Sequence, residues 1–479
     1  MVQRMLSDPF SHDWISIHGL VTALALGIYI AASHSLRQRR HPSAAIAWFL
    51  SLALMPYLAL PLYLLLGNRK VPRGLLGPQS QTFAPARLQG HQAQSKIKTL
   101  VSTLGLPPAS TYDHFTLHED GHSARHSLMS VIDSATVTLD LCVFLLSRDV
   151  LGQEVTSHLV QRAQQGVRVR LLIDGVGAYL GGHLNFRSLK AAGVHVVKFV
   201  SPLQSPFESP LPGRTNLRNH RKMVIADLHN VWMGGRNLAA EYFEGDQSSR
   251  REKTAWIDLS FDFSGAIARQ AQDQFNQDWA FATQAPQVQS VSPPAPDRAQ
   301  TPATVQWLPS GPDQAEDTLH TLLVSSCFAA HTSILAVSPY FVPDATLQMA
   351  LTLAARRGVA VDLILPAKSN HRLADMARYA ALRELTASGA RVWLGPQMIH
   401  AKAVVIDNEI ALAGSANLDE RSLFLNYEVM VGFYQPSDIV QFSQWIERLR
   451  QGAQRYKAQE PGVMREFGES MVRWLAFQL

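Results

Sequence analysis

The chain is 479 residues long, 47% hydrophobic and 17% charged, with a net charge of +5. That length exceeds one ordinary domain, and the balance supplies apolar material for two cores and for membrane segments besides. Two cysteines exclude a disulfide framework, and the lack of a dense Lys/Arg stripe with interleaved aromatics argues against a nucleic-acid partner; the modest positive excess suits either an anionic lipid surface or ordinary surface charge.

Two uncharged stretches open the chain, 14–33 and 44–66, each long enough to cross a hydrocarbon layer of about 30 Å. A cleaved signal peptide ending near Ala31-Ala32-Ser33 is the alternative for the first. Arg37, Arg39 and Arg40 beyond it, with a second span soon after, instead predict a helical hairpin anchor over 1–70. Pro56 and Pro61 are expected to kink the second helix or make it re-entrant. Two crossings put the tail and the body on one side. The charges do not choose that side, because the three loop arginines are matched by Arg4, Arg69, Lys70 and Arg73 outside the loop. A connector over 71–110 follows.

From residue 111 the chain repeats itself. The Gly-Val-Arg-Val-Arg-Leu-Leu-Ile run at 166–173 parallels Gly-Val-Ala-Val-Asp-Leu-Ile-Leu at 358–365, a helix end followed by a buried strand, and 189–196 parallels 385–392. Each half reads strand, helix, strand, helix, strand. This predicts an α/β sandwich with a mostly parallel sheet over 111–282 and again over 304–479. Between them 283–303 reads as a linker containing Pro286, Pro293, Pro294, Pro296 and Pro302. Cys142 and Cys327 are expected to be buried thiols. The apolar, aromatic stretch 471–479 is expected either to lie in a membrane interface or to pack on the body.

One pattern occurs twice: His220-Arg221-Lys222 with Asp227, and His400-Ala401-Lys402 with Asp407, both fitting His-x-Lys-x-x-x-x-Asp. Each copy is followed at the same offset by a turn ending in Asn, Gly234-Gly235-Arg236-Asn237 and Gly414-Ser415-Ala416-Asn417. Chance accounts poorly for both; a duplicated catalytic half accounts for them well. His and Lys at period two share one face of an extended segment, and 223–226 and 403–406 read as its buried continuation. Packing about a pseudo-twofold axis would bring His220 and His400 together.

This set suits substitution at a phosphodiester phosphorus. A neutral imidazole attacks and becomes phosphohistidine while a protonated imidazole opposite gives its proton to the departing alkoxide, so each half must supply one His. Lys222, Lys402, Asn237 and Asn417 would hold the non-bridging oxygens, the part Mg²⁺ plays at many phosphoryl-transfer sites, so neither metal nor other cofactor is called for. The Ser415 hydroxyl is expected to add a phosphate contact that Gly235 cannot match. His18, His118, His122 and His126 sit in no arrangement that would ligate a metal.

Here the chain resembles the phospholipase D superfamily and, within it, the bacterial cardiolipin synthases. The likeness runs nearly the whole length, through Leu66-Gly67-Asn68-Arg69, Asp174-Gly175-Val176-Gly177, Asn219-His220-Arg221-Lys222, Pro309-Ser310-Gly311-Pro312-Asp313, Pro339-Tyr340-Phe341-Val342-Pro343-Asp344, Asn417-Leu418-Asp419-Glu420-Arg421-Ser422 and Asn426-Tyr427-Glu428. It implies two phospholipase D-like sandwich halves behind a transmembrane hairpin, in a bacterial inner membrane with the catalytic body on the cytoplasmic face. The implied reaction takes a phosphatidyl group from phosphatidylglycerol, an anionic phospholipid, onto one His with release of glycerol, then passes it to a second phosphatidylglycerol to give cardiolipin. His220 is the implied nucleophile and His400 the general acid and base, with the reverse order also open. The acids that orient the imidazoles are implied to be Glu428 for His400 and Asp258 for His220, leaving Asp227 and Asp407 mainly a supporting role.

Two other classes stay open: a hydrolytic phosphodiesterase of the same superfamily, and a binding-only scaffold. Both complete motifs count against the scaffold, since binding alone has no need of two His at attacking and leaving positions.

Overall fold

The structure is a computed structural model that describes residues 9–35, 42–67, 100–101, 103–182, 186–200, 216–245, 254–285, 304–314 and 316–474. The first half holds a seven-stranded sheet of β1 (His114–His118), β2 (Thr138–Val143), β3 (Arg168–Asp174), β4 (His195–Phe199), β5 (Met223–Ala226), β6 (Asn230–Gly234) and β7 (Ser260–Ser264), in the order β1-β7-β6-β5-β2-β3-β4. The second half adds β8 (Val305–Ser310), β9 (Ser333–Val337), β10 (Phe341–Val342), β11 (Ala360–Pro366), β12 (Arg391–Gly395), β13 (Ala403–Ile406), β14 (Ile410–Gly414), β15 (Leu418–Asp419), β16 (Glu428–Phe433) and β17 (Gln454–Arg455). Its eight-stranded sheet runs β17-β12-β11-β9-β13-β14-β16-β8, the same topology with one added edge strand, while β10 and β15 pair separately.

Neither sheet is mostly parallel, contrary to the expectation from the helix–strand repeat. Only β2-β3-β4 and β9-β11-β12 run parallel. The motif strands β5 and β13 lie antiparallel to β2 and β9 and fold back as hairpins onto β6 and β14. The reason is local. Asp227 and Leu228, like Asp407 and Asn408, have φ between 52° and 56°. His229 and Glu409 donate their backbone N–H to Ala226 and Ile406, which closes hairpin turns of the left-handed type that suits strand twist.

Alternation along the motif strands builds the layers. Met223 and Ile225, with Ala403 and Val405, face a central core shared by the two sheets and by α6 (Ile267–Thr283) and α11 (Pro436–Gln451). Val224 and Ala226 face an outer core under α4 (Gly121–Ser134) and α5 (Val150–Gln164). Val404 and Ile406 face the matching outer core under α7 (Thr318–Ala329), α8 (Ala345–Arg356) and α9 (Arg372–Ala387). A one-residue slip of either strand would exchange its two faces. Cys142 and Cys327 are both buried free thiols.

The amino-terminal segment forms α1 (Pro9–Ser35), α2 (Pro42–Leu54) and α3 (Pro56–Leu66), which pack through Ala25, Tyr29, Leu52, Ala59 and Tyr63. Among the described residues no helix is long and apolar enough to cross a membrane. The second expected span is divided. Met55, preceding Pro56, leaves the helical region at φ −136° and ψ 57°, as the proline ring demands of its predecessor. The resulting helices of 13 and 11 residues span about 20 and 17 Å at 1.5 Å per residue. Most of the expected connector and linker lies outside the described residues. At the other end α12 (Val463–Trp474) packs on α9, with Arg383 and Arg465 donating to Glu469 at 2.6 and 2.9 Å. Val472 lies against the small cluster of Val342, Ala374 and Ala377, so the body, as one of the two expectations had it, receives this segment as far as it is described.

Candidate active site

Two short parallel bridges stitch the halves together, and they create the site. His220 N–H donates to the Tyr427 carbonyl at 2.9 Å and Tyr427 N–H to Arg218 at 2.8 Å. In the mirror arrangement His400 N–H donates to Ile257 at 2.7 Å and Ile257 N–H to Met398 at 2.9 Å. The next residue after each bridging partner is an acid, Glu428 or Asp258. Each half therefore delivers its acid beside the other half's histidine.

The orienting acids are thus exchanged relative to the sequence expectation. His220 Nδ1 lies 3.0 and 3.1 Å from the Glu428 oxygens, and His400 Nδ1 lies 2.6 Å from Asp258 Oδ2. The expectation paired acid and His within one half, and the bridges carry each pairing across instead. With Nδ1 engaged by a carboxylate, Nε2 is the atom of each imidazole that can react, and at His400 it lies 3.1 Å from Lys402 Nζ.

Asp227 and Asp407 do not reach the histidines. They stand at the far ends of the motif strands, seven residues from His220 and His400, about 20 Å along an extended chain. Asp227 accepts from the backbone N–H groups of Thr136, Val137 and Thr138 and from the Thr136 hydroxyl, all at 2.7–2.8 Å. Asp407 does the same for His331, Thr332 and Ser333. Both carboxylates are held below their ordinary range: burial opposes this, and the convergent donors outweigh it. They pin the entries of β2 and β9 to the motif hairpins.

Ser415 also sits differently from the expectation of a phosphate contact. Its hydroxyl donates to Glu428 Oε2 at 2.5 Å and accepts from Val429 N–H at 3.0 Å. A hydroxyl has one proton, and here it is committed to the acid. At the equivalent Gly235 a Cβ would stand 2.3 Å from Asp258 Oδ1, so the shorter acid fills the space that a side chain would take.

Lys222 and Lys402 are both buried. Lys222 Nζ donates to the His220 carbonyl at 2.7 Å; Lys402 Nζ donates to the His400 carbonyl and lies 2.7 Å from His400 Nδ1. Asn237 and Asn417 are buried, hydrogen-bonded to Tyr242 and Asp419, and the Oδ1 of each has no partner. An unpaired buried acceptor costs roughly 1–3 kcal/mol and could be met by a ligand hydroxyl; toward an anionic phosphate oxygen only the Nδ2 groups of these amides could donate.

Each motif feels the other's charge, which makes this one site. Burial lowers His220 to about 4, opposed by Glu428 and reinforced by Lys222 and Lys402. Burial lowers His400 to about 3, with Lys402 adding to it and Asp258 opposing. Burial likewise brings Lys222 to about 7 and Lys402 to about 8, against the pull of both acids. Asp258 falls to about 2 although burial pushes it up, because His400 and Lys402 outweigh that cost; Glu428 is lowered in the same way by His220 and Lys222.

Several residues around the site escaped sequence reasoning. Phe144 meets His220 edge-on at 5.1 Å, and Tyr242 and Trp256 pack on His400 at 4.9 and 5.7 Å. Arg221, the middle residue of its motif, is buried and bonds Asp278, Asp313 and the Glu428 carbonyl, locking the first motif to the second half. A charged residue between His and Lys in the buried approach to a strand was the available signal. Among the described residues no group of three or more His, Cys, Asp or Glu is placed to hold a metal ion.

A family model described as cardiolipin synthase, PLD-like domain matches residues 128–279 and 324–450, and another described as phospholipase D-nuclease N-terminal matches 25–68. A cardiolipin synthase A from Pseudomonas aeruginosa is 31% identical over 86% of this chain and 85% of its own length. A cardiolipin synthase from Halalkalibacterium halodurans is 29% identical over 91% and 88%. Among solved structures, phosphatidylserine synthase from Haemophilus influenzae superposes with a TM-score of 0.59 over 80% of this chain and all of its own, at 15% identity, a likeness of fold.

Proposed function

Because this chain belongs to the family of cardiolipin synthase phospholipase D-like domains, we propose that it joins two phosphatidylglycerol molecules into cardiolipin and glycerol through a phosphohistidine. The observation that carries the mechanism is the pair of imidazoles, His400 buried and His220 partly so, each held at Nδ1 by a carboxylate from the opposite half.

Nε2 of one imidazole attacks the donor phosphorus; the P–O bond to glycerol breaks, and the departing oxygen takes a proton from the other imidazole. A hydroxyl of the second phosphatidylglycerol then gives its proton to that imidazole. Its oxygen bonds to phosphorus, the N–P bond breaks, and the first imidazole is regenerated. An anionic phosphodiester between the histidines favours the imidazolium of the proton carrier, and the paired acid favours it further. Lys222, Lys402, Asn237 and Asn417 hold the charge that builds on the non-bridging oxygens.

The residue ranges expected for anchor, halves and linker complete the reading, with α1–α3 seated in a bacterial inner membrane and the catalytic body on its cytoplasmic face. The family match over 25–68 supports the amino-terminal part. Incubating the detergent-solubilised protein with labelled phosphatidylglycerol and separating the products tests the function. Cardiolipin with free glycerol is expected. Phosphatidic acid alone would make the protein a hydrolase, and no lipid turnover by folded protein would overturn both.

A further inference from the structure

In-line displacement at phosphorus puts the departing and incoming alcohols opposite the attacking nitrogen, so with His220 as nucleophile every alcohol passes on the His400 side. The wall of that side comes from the first half. Tyr242 stands edge-on to the His400 imidazole at 4.9 Å, and Trp256 packs on both rings, 4.6 Å from Tyr242 and 5.7 Å from His400. Arg236, buried between Gly235 and Asn237 in sequence, donates Nε to the Tyr242 carbonyl at 2.9 Å. It thereby ties the turn that carries Asn237 to the segment that carries Tyr242.

Asn237 and Tyr242 are 3% and 6% exposed and hydrogen-bonded to each other, yet the Asn237 Oδ1 has no partner. The bond therefore runs from Nδ2 to the phenol oxygen. That leaves the second Nδ2 proton for phosphate, the phenol proton for another acceptor, and Oδ1 for another donor. Burial raises the phenol well above its usual range, so it keeps its proton wherever the site works. One donor and one acceptor side by side, both neutral, are what an alcohol hydroxyl can satisfy and an anion cannot.

The duplication supplies an internal control. At the same offsets from His400, Asn417 corresponds to Asn237, Asp419 to Ala239 and Ser422 to Tyr242. Asn417 is bonded to Asp419, which caps the short helix α10 (Glu420–Phe424) by accepting from Ser422 N–H at 2.7 Å. The ring that meets His220 is Phe144, which has no hydroxyl to give. The second amide thus sits against a carboxylate, and the neutral phenol–amide pair belongs to the His400 side.

We propose that Asn237 Oδ1 and the Tyr242 hydroxyl form an alcohol subsite that selects a vicinal diol, the grouping a glycerol headgroup presents; this rests on the transferase reading above, with His220 as nucleophile. The reacting hydroxyl gives its proton to His400 as its oxygen bonds to phosphorus. Its neighbour on the next carbon donates to Asn237 Oδ1 and accepts from Tyr242. The departing glycerol and the glycerol of the incoming lipid occupy this place in turn, because one step is the chemical reverse of the other. An alcohol with a single hydroxyl leaves both buried groups unpaired, which weakens its transition state relative to that of the diol.

The test is a competition. Full-chain protein in detergent micelles receives labelled phosphatidylglycerol with equal amounts of propylene glycol, a vicinal diol, and n-propanol, and the phosphatidyl products are separated. The parent should favour the diol about 10- to 100-fold, the range for leaving buried hydrogen-bonding groups unpaired. Trimethylene glycol, whose hydroxyls are one carbon further apart, should compete no better than n-propanol. Tyr242→Phe keeps the ring on His400 and should lower the preference about 10-fold, whereas Ser422→Ala, at the equivalent position, should leave it unchanged. Both alcohols share one reaction, so a general loss of activity cancels from the ratio. A parent that does not distinguish the two diols, or a preference that survives Tyr242→Phe, overturns the subsite while leaving transfer intact. A preference lost in Ser422→Ala instead would put the alcohol beside His220 and overturn it too. Phosphatidic acid as the sole product would sink the transferase reading, and the subsite with it.

Discussion

The two halves share a topology and a motif, yet they support their histidines by different means. In the first, Arg221 is buried against two aspartates of different halves, and Gly235 leaves room for Asp258. In the second, Ala401 stands where Arg221 stands, and Ser415 props the longer Glu428 through a hydroxyl. The His400 side chain is 5% exposed under Tyr242 and Trp256, while that of His220 is 13% exposed beside Phe144. A duplicated scaffold thus fixes where two imidazoles meet, and its unequal details leave them in unequal surroundings.

The comparison breaks most completely at the shared element. His220→Ala and His400→Ala should each lower cardiolipin formation by at least about 10,000-fold, equally, because removing either member of a concerted pair stops both steps. Unequal losses by product assay would show that the halves do not share one reaction. Next come the crossed acids. Glu428→Gln and Asp258→Asn should each cost about 100- to 10,000-fold in kcat with folding retained, as when an imidazole loses the carboxylate that fixes its tautomer.

Sharpening the asymmetry requires the turn residues. Gly235→Ala should be the damaging change, because its Cβ drives Asp258 off His400, with a loss in kcat close to that of Asp258→Asn. Ser415→Ala only removes a hydrogen bond to a charged group and should cost about 10- to 100-fold. Equal effects would dismiss the difference between the halves. The pH dependence is milder. Lys222 and Lys402 bind an anion only when charged, so kcat/KM should fall as pH rises through about 7 to 8, with the limb for kcat at higher pH because bound phosphodiester favours the ammonium form. Smallest on catalysis, Asp227→Ala and Asp407→Ala should cost about 1–3 kcal/mol in urea unfolding and leave turnover per folded molecule unchanged.

Much of the site was legible in the sequence because its parts are local: His, Lys and Asn stand at fixed offsets, and the repeat exposed the duplication. The partnership of Glu428 with His220 was not, because it depends on a bridge between residues 208 positions apart. The same holds for Arg221, whose acids lie 57 and 92 positions away. The mixed sheet was hidden for another reason. Asp227 and Asp407 read as members of a catalytic motif, whereas their left-handed backbone and outward carboxylates make them the turns that reverse the strand. The division of 44–66 at Met55 follows from Pro56 and was within reach, and a kink was expected there.

The crossed bridges also set a clock on biosynthesis. The first half leaves the ribosome with His220 but without Glu428, which follows 208 residues later, roughly 10–40 s at 5–20 residues per second. Through that interval the nascent chain holds a histidine whose tautomer nothing fixes and a binding face still half built. Reactivity therefore arrives only after the second half has been made, so a product truncated or stalled before Glu428 is chemically silent toward the lipids around it.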